Sequence, residues 1–262
     1  MCLVKSVGEK GVNQKEDVRI VQILLNLNIG SLIPLAFLKE DGGIGKATIG
    51  AIALFQTRVV GMATPTKLIE PGSETYQRLK AGLEPGLTQG KLLAIMPGAT
   101  ASAVSRYFQP LIDNMEANGI TTPLRTAHFL AQLGHESGSF RFSEEIASGA
   151  AYEGREDLGN TSPGDGVRFK GRGLIQITGR SNYAAYGAAR GQDYLTEPRN
   201  TLLGSDPRIA VDCSCWFWAT RGLNALADSD NVDGITRRIN GGVNGLADRV
   251  ARLARAKCLL LP

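Results

Sequence analysis

The sequence predicts a mainly α-helical protein: a small three-helix module followed by a larger helical domain with minor β structure. Three observations predict it. Apolar residues recur at spacings of three and four along much of the 262-residue chain, as on the buried stripe of a helix. A turn-rich run, Leu83-Glu84-Pro85-Gly86-Leu87-Thr88-Gln89-Gly90, reads as a hinge. Only residues 173–178 alternate in the manner of a strand. The expected division is therefore 1–82 for the module, 83–90 for the linker and 91–262 for the main domain.

Each element has a local reason. Residues 17–28 place Val18, Val21, Leu24 and Leu25 on one stripe. The turn cluster Asp41-Gly42-Gly43-Ile44-Gly45 opens a second helix carrying Ile49, Ile52, Ala53 and Gln56, and residues 74–83 supply a third. Three short helices enclose only a small core, a size suited to a binding module. Beyond the linker, helices are expected over 91–96, 101–107 and 110–118, with Gly119 as a C-terminal stop. Thr122-Pro123 is a cap followed by a first-turn proline, so a helix runs from there to Glu136 and stops at Ser137-Gly138-Ser139. Residues 148–173, rich in Gly, Asp, Asn and Ser, form an extended loop. Further helices are expected over 207–219 and 246–257.

Composition bounds the partners. With 43% hydrophobic and 21% charged residues the chain is globular, neither disordered nor fibrous. The net charge of +4 is scattered, without the clustered basic face that grips phosphates, so no nucleic-acid partner is expected. A mild positive excess suits a long acidic polymer. No apolar run is long enough for membrane insertion, and no secretory signal is visible, so the chain is expected to fold in a cytosol, as a monomer. The cysteines Cys2, Cys213, Cys215 and Cys258 do not read as a disulfide framework; Cys213 and Cys215 lie in an apolar run and are read as buried free thiols. His128 and His135 belong to no His-Glu-x-x-His motif, since Ser139 occupies the second histidine position. No metal and no cofactor are expected.

The chemistry points to carboxylates. Glu136 ends an apolar helix, where desolvation and the helix dipole both favour the protonated form a general acid needs. Glu145 follows nine residues later beside Glu144, and the Ser-Gly-Ser break lets the chain reverse between them. Two carboxyls held roughly 6.5–9.5 Å apart with a water between suit an inverting glycosidase. The run Gly171-Arg172-Gly173-Leu174-Ile175-Gln176-Ile177-Thr178 fits no phosphate loop, because Gln176 stands at the third glycine position. As a strand it would place Leu174, Gln176 and Thr178 on one face, and amide and hydroxyl groups suit sugar hydroxyls and an attacking water. Asn240-Gly241-Gly242 is a further turn whose asparagine either caps local backbone or faces a ligand.

These pieces resemble glycoside hydrolase family 19, found in plant chitinases and phage endolysins. The resemblance rests on His135-Glu136-Ser137, residues 169–183, Ile239-Asn240-Gly241-Gly242 and Ala247-Asp248-Arg249, in the family's order over roughly residues 88–262. It implies a lysozyme-like helical fold with Glu136 as general acid and Glu145 as general base, Glu144 being the competing choice. It implies that Thr178 holds the nucleophilic water. Ser137, Gln176, Asn182, Tyr183 and Asn240 are implied substrate-binding residues, and His135 and Arg249 support the acid. Where plant members carry a Glu after the third motif, this chain has Asn244.

Residues 4–80 resemble the small three-helix peptidoglycan-binding domain, through Asp17-Val18-x-x-Val21-Gln22-x-Leu24-Leu25 and Asp41-Gly42-x-Ile44-Gly45-x-x-Thr48-Ile49-x-x-Ile52-x-x-Phe55-Gln56. Together the two resemblances imply a modular phage-type endolysin that binds peptidoglycan and cleaves β-1,4 bonds between amino sugars. It would gather in the host cytoplasm and reach the wall once the inner membrane is permeabilised. The alternatives are a chitinase on GlcNAc polymers, a lytic transglycosylase, and a catalytically silent wall-binding or virion protein.

Overall fold

A computed structural model describes residues 2–262. The chain forms two compact units, one made of the residues up to Ala94 with Lys257–Pro262, the other of Ile95–Ala256. The expected linker at 83–90 lies inside the first unit, where the buried Lys91 ammonium donates to the carbonyls of Glu84 and Gly86.

In the first unit, β1 (Val7–Gly8) pairs antiparallel with β2 (Leu68–Ile69), Val7 opposite Ile69. Around this short ribbon stand α1 (Lys15–Leu27), α2 (Lys46–Phe55, continued by a wider turn over Gln56–Val60), α3 (Glu74–Ala81) and the start of α4 (Gln89–Ile95). Val18, Val21, Leu24 and Leu25 of α1 meet Ile52 and Phe55 of α2 and Leu79 of α3 in a fully buried core. The polar residues of the motif stitch loops to helices. Asp17 accepts from the backbone N–H groups of Val4 and Lys5, Gln22 accepts from Gly42 N, and Gln56 accepts from Lys67 N and donates to Leu68 O. Each satisfies backbone groups that no ladder pairs.

The second unit runs through α5 (Ala101–Ala117), α6 (Pro123–Glu136), α7 (Asp165–Arg168), α8 (Arg180–Arg190), α9 (Leu202–Ser205), α10 (Pro207–Thr220), α11 (Leu223–Asp228), α12 (Val232–Asn240) and most of α13 (Leu246–Leu260). The helices expected at 101–107 and 110–118 are one. Pro110 removes only one helical N–H, and the buried stripe Val104, Tyr107, Leu111 and Met115 packs on α10 as a single face.

Two expectations are corrected. Residues 173–178 are not a strand: Gly173 and Gln176 have φ of 84° and 55°, and Gln176 N donates back to Gly173 O in a tight turn. Leu174 and Ile175, neighbours in sequence, are both buried, which a two-sided strand does not arrange. Nor are all four cysteines free. Cys2 and Cys258 are joined in a disulfide with Cα atoms 5.1 Å apart, because α13 ends in the first unit. There Cys258 and Leu259 are buried and Lys80 donates to the carbonyls of Cys258 and Leu261. Cys213 and Cys215 are buried and free, and burial pushes both thiols well up, so neither is a thiolate near neutral pH.

Candidate active site

The acid candidate is held from α13. Thr122 Oγ1 caps α6 by accepting from Arg125 N, Pro123 takes the first turn, and the helix delivers Gln132 and Glu136 one turn apart on one face. Arg249, 1% exposed, lies against both. One guanidinium nitrogen donates to Glu136 Oε1 at 2.5 Å and another to Gln132 Oε1. Asp248, one position earlier on α13, pairs with His135 Nδ1 at 2.8 Å and Arg252 Nε at 2.7 Å; Arg252 also donates to Ser139 Oγ. Burial opposes charge on Asp248, but the hydrogen bonds from Arg252 and His135 outweigh it and hold its carboxyl below the ordinary range. The side chain of Glu136 keeps 19% of its surface exposed, so the end of α6 is clamped while the carboxyl stays reachable.

The structure separates the two neighbouring glutamates. Glu144 meets Lys170 Nζ at 2.9 Å and Arg172 at 3.2 Å. Burial alone would raise its carboxyl, yet these two cations lower it. Among the described residues the Glu145 carboxylate is met by uncharged donors: the Tyr152 hydroxyl reaches Oε1 at 3.1 Å and Gly171 N–H reaches Oε2 at 3.2 Å.

The 171–178 turn sits beside Glu145 and is moulded on α10. Leu174 N donates to Ala210 O and Ile175 N to Ser214 Oγ. Gly173 lies so close to Cys213 that a Cβ there would stand 2.5 Å from its sulfur. At Gly171 a Cβ would stand 3.3 Å from both Gln176 Oε1 and Glu145 Oε2, so both polar groups close over a residue with no side chain. Thr178 Oγ1 donates to Gln176 O, and Asn182 Nδ2 to Thr178 O, so Gln176, Thr178 and Asn182 form one partly exposed run.

Of the residues expected to touch substrate, two are fully buried and a third is engaged with its own loop. Ser137 is fully buried, its hydroxyl donating to Leu133 O and accepting from Phe140 N, so it shapes the turn after α6. Tyr183 is also fully buried; its hydroxyl donates to Lys170 O and accepts from Arg172, supporting the turn from behind. Asn240 is exposed, but its amide donates to Asn244 O and its oxygen accepts from Gly242 N, so it holds its own loop. Residues not singled out from the sequence do much of the positioning: Gln132, Tyr152, Lys170 and Arg172. The one available signal was Gln132, a polar residue in an apolar helix one turn before Glu136. Among the described residues no group of three or more His, Cys, Asp or Glu side chains is gathered as a metal site.

Comparison with known proteins identifies relatives of this chain. The family described as chitinase class I, glycoside hydrolase family 19, matches residues 121–243. A glycosyl hydrolase family 19 domain-containing protein of Haemophilus influenzae is 34% identical over 185 residues, covering 59% of this chain and 88% of that protein. An endochitinase of Arabidopsis thaliana is 40% identical over 125 residues, which is 47% of this chain but only 41% of the plant protein. Chitinase C from Streptomyces griseus shares the fold, with a TM-score of 0.55 at 22% identity over 66% of this chain and 91% of that one. These matches define the chain as a glycosidase. The chain belongs to glycoside hydrolase family 19.

Proposed function

We propose that the chain is a peptidoglycan hydrolase of the endolysin kind, cleaving β-1,4 bonds between amino sugars with inversion. The observation that carries the mechanism is the contrast between the carboxylates. Arg249 engages one oxygen of Glu136 and leaves the other to carry a proton to the glycosidic oxygen. The guanidinium then stabilises the carboxylate left behind. Glu145, oriented by neutral donors, takes the proton from the attacking water, while Glu144 is neutralised by two cations and cannot do so readily. On this reading Glu136 and Glu145 face each other across the sugar, and Gln176 and Thr178 hold the water between them.

Peptidoglycan is favoured by the first unit. It is compact in its own right, and its buried Asp17, Gln22 and Gln56 serve the fold that the wall-binding resemblance implies. A tethered wall-binding module raises the local concentration of the catalytic unit on an insoluble polymer. In this proposal the protein acts as a monomer, accumulates in the host cytosol and reaches the wall after inner-membrane permeabilisation. The Cys2–Cys258 bond forms once it leaves the reducing compartment. The second reading, a chitinase, is favoured by the likeness to the Arabidopsis endochitinase. Mass spectrometry of products from purified sacculi and from chitin separates them. Faster release of muropeptides with reducing ends supports the peptidoglycan reading. Turnover of chitin alone supports the other, and anhydro products point to a transglycosylase.

A further inference from the structure

We propose that Tyr152 is a positioning residue for the glycosidase reaction, its phenol holding the Glu145 carboxylate in the orientation from which it activates water. The inference rests on the reading of Glu145 as the base.

Glu145 is fixed at its backbone before its side chain is considered. Its N–H donates to Gly171 O at 2.8 Å, and its carbonyl accepts from Lys170 Nζ at 3.1 Å. Three single bonds still separate that backbone from the carboxylate, so the oxygens need holding of their own. Gly171 N–H takes Oε2 and the Tyr152 hydroxyl takes Oε1. Each ionised oxygen has a further lone pair, so both hydrogen bonds can persist while a water is engaged. Because neither donor is charged, they orient the carboxylate without neutralising it.

The loop behind Tyr152 is built to present this hydroxyl. Tyr152 closes a single 3-10 turn over Ala150–Tyr152. Its carbonyl accepts from Nδ2 of Asn160, which is fully buried and whose Oδ1 accepts from Arg180 N at the start of α8. The next residue, Glu153, accepts from the N–H groups of Gly164 and Gly166. The far side of the loop is closed by Asp165, fully buried and paired twice with Arg180. An otherwise exposed, glycine-rich segment is thereby laced into a support that presents one phenol to the base. Burial first, then the Glu145 carboxylate, push that phenol upward, so it stays a donor through the working pH range. The other charged groups nearby are Glu144, Lys170 and Arg172 beside Glu145, and Arg155, itself paired with Asp157, beside Tyr152.

The test is Tyr152→Phe in the full chain, beside Glu145→Gln. The substrate is whichever of sacculi or a soluble GlcNAc hexamer the wild type turns over faster. Removing only the hydroxyl is expected to lower kcat roughly tenfold with KM unchanged, the loss of one hydrogen bond to a charged group. The split between kcat and KM is the readout that a merely structural role would not produce. Thermal stability should stay at the wild-type level. Tyr152→Phe with the kcat of the wild type while Glu145→Gln is inactive overturns the role of the phenol and leaves the base reading standing. A fall in kcat that only tracks a loss of folded protein also overturns it. Wild-type turnover by Glu145→Gln removes the base reading and the proposal with it.

Discussion

Arg249 and Glu136 form an ion pair at 2.5 Å in which the arginine is 1% exposed and the glutamate stays accessible. The charge that steadies the candidate acid thus comes from α13, more than a hundred residues along the chain. The same guanidinium holds Gln132, so acid and support share one helix face.

Replacing Arg249 by Lys keeps the charge but loses the planar fork that reaches two acceptors. Arg249→Lys is expected to lower kcat roughly 10–100-fold with little change in KM, read by steady-state kinetics. Arg249→Ala leaves Glu136 and Gln132 without their partner and should cost about 3 kcal/mol of stability in denaturant titration.

Gly173→Ala places a Cβ against Cys213 at a backbone conformation with φ of 84°. It should destabilise the protein by about 2–4 kcal/mol and reduce activity, because the displaced turn carries Gln176. Adding Cys213→Ala should recover part of the stability, so the double variant is less affected than the sum of the two. Simple additivity would show that the sulfur is not the obstacle.

Asp165 is fully buried and bound twice by Arg180, which with the Ser162 N–H outweighs burial and holds its carboxyl below the usual range. Its folded value lies below its unfolded one, so its stabilisation is complete above about pH 4. That stabilisation is lost as pH falls through the depressed folded value. Asp165→Asn should therefore lower the melting temperature at pH 7 and flatten its further fall on acidification. Melting curves from pH 7 to pH 2.5 read both effects, and parallel wild-type and variant curves would contradict them.

The Cys2–Cys258 bond closes nearly the whole chain into one loop. Reductant, or Cys2→Ser with Cys258→Ser, should cost roughly 2–4 kcal/mol of stability. Differential scanning calorimetry checks this. The loss should fall on the first unit and leave the catalytic rate on soluble substrate unchanged, since Glu136, Glu145 and their partners all lie in the other.

Much of the fold was legible because it rests on local rules. The stripe of α1, the cap-and-proline start of α6 and the apolar face of α10 are each carried by neighbours in sequence. What escaped depends on distant partners. The 173–178 run alternates on paper, but α10 supplies acceptors, a serine hydroxyl and a buried sulfur that mould it into a turn. Pro110 reads as a break, yet α5 runs on through it, packed on α10. The disulfide follows from where α13 ends, which cysteine spacing does not reveal. At the site, the resemblance indicated Glu136, Glu145 and Arg249, but Glu144 and Glu145 are adjacent and alike in sequence. Only the placement of Lys170, Arg172 and Tyr152 tells them apart.

The most direct measurement is the anomeric form of the first product, followed by time-resolved proton NMR during cleavage. Attack by a water activated at Glu145, opposite the bond protonated by Glu136, releases the α-anomer before mutarotation sets in. An initial β-anomer, or a product without a reducing end, would contradict the two-carboxylate inverting mechanism.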